Sequence, residues 1–82
     1  MKLRFISDPG HGWLEVPIQL IERFGIGDQI SMYSYRRREL AYLEEDCDYS
    51  VFIEAARKHG IDIELVIEHQ DPTPIRHYQR FC

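Results

Sequence analysis

No stretch of this chain of 82 residues approaches the roughly 20 consecutive apolar residues that a membrane span requires. The opening MKLRFISDPG also lacks the apolar run of a secretory leader, so a cytoplasmic protein is expected. Cysteine is scarce. Cys47 and Cys82 are too few for a disulfide framework, and neither forms a C-x-x-C pair, which excludes a zinc ribbon. Spacings of the H-x-x-x-H and H-E-x-x-H kind are missing, as are a calcium loop with its glycine and a serine in a nucleophile elbow. No metal and no cofactor is therefore expected, and no residue is assigned a catalytic role.

Positive charge is also missing from one half of the chain. Residues Glu39 to Asp71 hold ten acids against Arg57 and Lys58, a net −8, while the remainder is +4 and the whole chain −4. Phosphate binding needs clustered Lys and Arg, so the acidic half is a poor nucleic-acid footprint and suits a basic protein surface instead.

What is present is ordinary for a globular chain: 44% hydrophobic and 29% charged residues, enough for one small core and a single domain over residues 1–82. KLRFI (Lys2 to Ile6) and WLEV (Trp13 to Val16) alternate as strands around the turn SDPGHG. Pro17 suits the first turn of a helix carrying Ile18, Leu20, Ile21 and Phe24, and Gly25 ends it. QISMYSYR (Gln29 to Arg36) and ELAYLEE (Glu39 to Glu45) read as a second hairpin. Asp46 or Asp48 then caps a helix from Tyr49 to His59. IDIELVIEH (Ile61 to His69) is the cleanest strand, and after DPTP the segment IRHYQRFC is an extended tail (72–82) or a short edge strand.

The expected order is β-β-α-β-β-α-β. Residues 1–28 and 29–61 echo each other as a loose repeat of strands, helix and Gly-Ile. The expected class is α+β: a two-layer sandwich of a mostly antiparallel sheet with both helices on one face.

Alternation then assigns the faces. Leu3, Phe5, Leu14, Val16, Ile30, Met32 and Ile63 point at the helices. Trp13, Glu15, Tyr33, Tyr35, Tyr42, Glu44, Asp62, Glu64 and Glu68, together with Arg4, fall on the other face. Aromatics mixed with carboxylates on an open sheet suit protein binding, with Trp and Tyr as anchors and acids selecting a basic partner. The same aromatics also serve a sheet structurally, as cross-strand pairs or under a tail that folds back over them.

Two further segments invite a chemical reading. In DPGHGW, His11 is placed to act as a general base held by Asp8, an enzyme reading that needs a deep pocket around His11; Asp-Pro-Gly is also plain turn chemistry. In YLEEDCDYS, Glu44 and Glu45 point to opposite faces of a strand and cannot chelate one ion together. The acids around Cys47 raise its pKa, the wrong direction for a nucleophile, and Cys47 is expected to pack. Arg36, Arg37 and Arg38 at the hairpin tip form an alternative, nucleic-acid-binding site beside Tyr35.

SDPGHGWLEVP, ISMYSY, YLEEDCD and PIR-x-Y-x-RF together resemble a family of small uncharacterised proteins of proteobacteria and of their phages and plasmids. The resemblance spans nearly the whole chain and brings no established activity. It implies a setting in which small single-domain proteins are often inhibitors of host or defence proteins, including anti-CRISPR proteins. The leading expectation is thus a non-enzymatic protein-binding module, with oligomeric state left open.

Overall fold

Residues Met1 to Cys82 are all described by a computed structural model. Lys2–Ser7 forms strand β1 and Gly12–Pro17 forms β2, paired antiparallel so that Phe5 faces Leu14 and Ile6 faces Trp13. Gly12 lies so close to the Phe5 ring that an added Cβ would stand 2.6 Å from it, which explains a glycine there. Pro17 leads directly into helix α1, Ile18–Phe24, whose Leu20, Ile21 and Phe24 are buried. Gly25, at φ 67°, supplies the left-handed turn that ends it. Strand β3 (Tyr35–Arg37) and β4 (Leu40–Glu44) form the second hairpin, with Arg38 at φ 56° in its tip. Helix α2, Tyr49–Lys58, buries Phe52, Ala55 and Ala56. Strand β5 is Glu64–His69, and a two-residue β6, Gln79–Arg80, follows.

The fold is α+β, as the alternation in the sequence predicts. Its six strands run in the order β5-β1-β2-β4-β3-β6, and every neighbouring pair is antiparallel except β1 with β5. Cross-strand partners share a face, so the pairs Phe5–Leu14, Leu14–Leu43, Val16–Ala41 and Leu3–Leu65 build one apolar surface. Against it pack Leu20, Ile21, Phe24, Phe52, Ala55 and Ala56 from both helices, with the Phe24 and Phe52 rings 5.6 Å apart. No helix is long and apolar enough to cross a membrane.

Three expectations are corrected. Gln29 to Ser34 is not strand: Gly27–Gln29 is a 3-10 turn, and only Tyr35–Arg37 pairs in the sheet. Met32, expected inside, is therefore 57% exposed. The last strand begins at Glu64 rather than Ile61, because its partner β1 begins at Lys2, opposite Glu64. The Asp62 carbonyl instead accepts from the Met1 ammonium at 2.9 Å. Asp48 stands at the N-cap position of α2, yet its carboxylate makes no cap bond.

That carboxylate holds the irregular loop instead. Asp48 is buried, and it accepts from the Ser31 amide at 3.0 Å, from the Ser31 hydroxyl at 2.7 Å and from the Ser34 hydroxyl. Ser34 Oγ in turn accepts the Glu44 amide at 2.9 Å. A buried carboxylate without a cation persists only where donors surround it, as here.

The C-terminal tail completes the sheet's other face. Thr73 Oγ1 accepts the Ile75 amide at 3.0 Å and starts a 3-10 turn, Pro74–His77, that seats Ile75 against Ile6, Trp13 and Tyr42. Beyond it β6 pairs with β3, placing Arg80 beside Tyr35. The tail therefore both covers and extends the sheet.

Asp48→Ala strands three donors in a closed space, each costing about 1–3 kcal/mol. Urea unfolding should show a loss of about 3 kcal/mol or more; a loss below about 1 kcal/mol would mean that the loop is held by something else.

Candidate functional site

The turn between β1 and β2 is built by Asp8. Its Oδ1 accepts the amides of Gly10 at 2.9 Å and His11 at 2.8 Å, an arrangement that fixes where His11 projects. Arg76, from the tail's 3-10 turn, reaches Asp8 at 2.9 Å and His11 Nδ1 at 2.9 Å. Burial pushes the Asp8 carboxyl up, but the two amides and the Arg76 guanidinium outweigh it and hold the group below its usual range. The Asp8–His11 base pair expected for an enzyme is not assembled: Asp8 binds the backbone and Arg76, and the imidazole Nδ1 is taken by the guanidinium.

Next to this loop Trp13 is enclosed, at 1% exposure. The His11 ring stacks on it with centroids 5.7 Å apart, the Arg76 guanidinium lies 5.7 Å from its ring, and Tyr35 meets it edge-on at 6.5 Å. Its indole N–H is buried without an acceptor, an orphan donor of the kind that costs about 1–3 kcal/mol. Across the strands, Trp13 is paired with Glu44, which is 8% exposed and accepts the Asp46 and Cys47 amides at 2.6 and 3.3 Å. Arg80 donates to the Met32 carbonyl at 2.8 Å and lies 4.9 Å over the Tyr35 ring. His11, Trp13, Tyr33, Tyr35, Glu44, Arg76 and Arg80 line a pocket of about 280 Å³.

The expectation of an open aromatic and acidic face is corrected in part. Trp13, Tyr42 and Glu44 lie on the expected face, but the tail covers them; Tyr42 is 5% exposed and packs on Tyr78 at 5.2 Å. Tyr33 is exposed, but in the loop before β3 rather than on the sheet. Glu15 is bound by Arg4 at 2.7 and 3.0 Å, and Arg4 also pairs with Glu68 at 2.8 Å. The Arg4 bonds outweigh burial and hold the Glu15 carboxyl low, whereas burial, with Glu15 beside it, pushes the Tyr42 hydroxyl up. Asp62 and Glu64 remain exposed and free of ion pairs, near β5 at the far edge.

The three arginines of the hairpin tip are split. Arg37 donates to the Tyr78 hydroxyl and sits 5.1 Å over that ring, Arg36 lies 5.7 Å from Phe81, and Arg36 and Arg38 share a hollow with Glu22 and Glu39. Strand alternation thus sends Arg37 to the tail and leaves Arg36 and Arg38 together at the hollow. Cys47 is exposed rather than packed; desolvation first, then Glu44, Asp48 and Asp46, raise its pKa. No three His, Cys, Asp or Glu side chains are grouped to hold a metal ion. Arg76, Arg80 and the structural role of Asp48 were missed by sequence reasoning. The only signal for the arginines was the alternating PIR-x-Y-x-RF of the tail.

No protein-family model, curated protein or solved structure matches the chain.

A carboxyl whose folded pKa is depressed contributes stability above its unfolded pKa, and that stability is lost as pH falls through the folded value. Glu15 and Asp8 should therefore give an acid-side loss beginning below about pH 4. Arg4→Gln should return Glu15 toward the ordinary carboxylate range in a carboxyl-carbon NMR titration. An unchanged Glu15 titration would show that Arg4 is not its cause.

Proposed function

We propose that the chain is a non-enzymatic, cytoplasmic protein-binding module whose contact surface is the free edge of β5. One observation carries this reading: the sheet has a long open edge at one end and a blunt one at the other. β5 pairs with β1 along all six of its residues and leaves its outer side unpaired, whereas β6 is only two residues long. The open edge shows Val66 at 45% and Ile67 at 57% exposure, and holds neither proline nor lysine to blunt it.

The acids decide what binds there. Asp62 and Glu64, free of ion pairs, give the edge a negative charge that favours an extended partner segment carrying Lys or Arg. They also disfavour a second copy of this chain. A second copy would bring the same two unpaired acids, Asp62 and Glu64, to its own edge, and like charges brought together across a ladder destabilise it. In this reading the helices form one layer behind the sheet, the tail seals the other face, and the edge is left for the partner. The setting implied by the resemblance makes that partner a host or defence protein, with a mobile-element inhibitor as the biological role. A nucleic-acid-binding groove, rich in basic residues, is the kind of surface such an edge fits.

A short peptide of alternating lysine and valine, added to labelled protein, should shift the β5 amides in NMR spectra. Glu64→Lys should weaken its binding about tenfold, and added salt should weaken it further. Replacing Arg36 and Arg38 by serine should change nothing. Shifts outside β5, or equal binding by Glu64→Lys, would dismiss the edge as the contact surface.

A further inference from the structure

Two opposite charges share the 280 Å³ pocket without pairing with each other. Glu44 is held by the amides of Asp46 and Cys47, and Arg80 by the Met32 carbonyl and the Tyr35 ring. Neither makes a salt bridge, although Arg76, on the same pocket wall, already has Asp8 as its counter-ion. Ordinarily a free carboxylate and a free guanidinium in so small a space would close on one another. Here the bonds of both are to neutral groups, so neither charge is neutralised by an ion pair.

Trp13 stands in the same wall, its ring lining the pocket while its indole N–H is sealed from it. An anion alone would pair with Arg80 but would be repelled by Glu44. A cation alone would pair with Glu44 and leave Arg80 as it is. Only a group carrying both an oxyanion and a positively charged donor answers both charges.

We infer that this pocket binds a small zwitterion of the α-amino-acid class, with its carboxylate toward Arg80 and its ammonium toward Glu44. Tyr35 and the His11 ring supply apolar wall for the rest of the ligand, as in other small-molecule sites with few polar groups. The site is at the opposite end of the sheet from the β5 edge and does not depend on that edge having a partner.

Trp13 is the chain's single tryptophan, so its fluorescence reports on the pocket directly. Glycine, L-leucine and L-phenylalanine, titrated at millimolar concentration with selective tryptophan excitation, should between them include a ligand that changes Trp13 emission saturably and raises the melting temperature. N-acetyl-phenylalanine lacks the ammonium and phenylalanine amide lacks the carboxylate; each should bind at least about tenfold more weakly than phenylalanine. Arg80→Gln, at an exposed position, should fold normally and lose the same response. No emission or melting change with any of the three amino acids would overturn the proposal, and so would equal binding of the acetylated or amidated compound.

Discussion

The packing of the C-terminal tail over the second face of the sheet is the interaction on which the rest depends. The helices cover one face, and without the tail Ile6, Trp13 and Tyr42 would stand in water on the other. Ile75 closes that surface, and reciprocal arginine–aromatic pairs hold the closure: Arg76 and Arg80 of the tail over Trp13 and Tyr35, and Arg37 of β3 over Tyr78 of the tail. Each such pair contributes about 0.5–1 kcal/mol where exposed and more where water is excluded. Burial of the Trp, Tyr and Ile side chains contributes the larger share, about 1.5–3 kcal/mol for Ile75 alone. A domain of this size has a small core, and a second apolar cluster is a substantial part of its stability.

The acids fall into three groups. Glu44 and Asp48 are drawn inside, where backbone amides and serine hydroxyls rather than cations satisfy them, and they set the loop before β3 and the turn into α2. Glu15 and Glu68 are neutralised by Arg4. Asp62 and Glu64 are left outside on the edge. An acidic half-chain is therefore not one surface, and its net charge overstates what a partner meets.

Much of this architecture was legible in the residues. The alternation of KLRFI, WLEV and ELAYLEE gives three strands and their faces, and Pro17 and Gly25 bound α1 because one tolerates a missing N–H and the other a positive φ. The pattern Ile-Ser-Met-Tyr-Ser-Tyr misled because its alternation is real, yet no strand lies beside Gln29 to Ser34; hydrogen bonds to Asp48, distant in sequence, decide that loop. For the same reason Asp48 looked like a helix cap: local spacing supports a cap, and only the tertiary fold brings Ser31 and Ser34 to its carboxylate. The pocket was half legible. His11, Trp13, Tyr35 and Glu44 stood out by type, but Arg76 and Arg80 belong to a tail whose docking position no local pattern encodes.

The central claim is that the tail buries Trp13 and thereby builds the pocket. Acrylamide quenching of the single tryptophan tests it most directly, in the intact chain and in an Ile75→Asp variant. The account predicts a blue-shifted, poorly quenched indole in the intact protein and a red-shifted, readily quenched one when a charge replaces Ile75. Strong quenching in the intact protein, or an emission that ignores the change at Ile75, would contradict it.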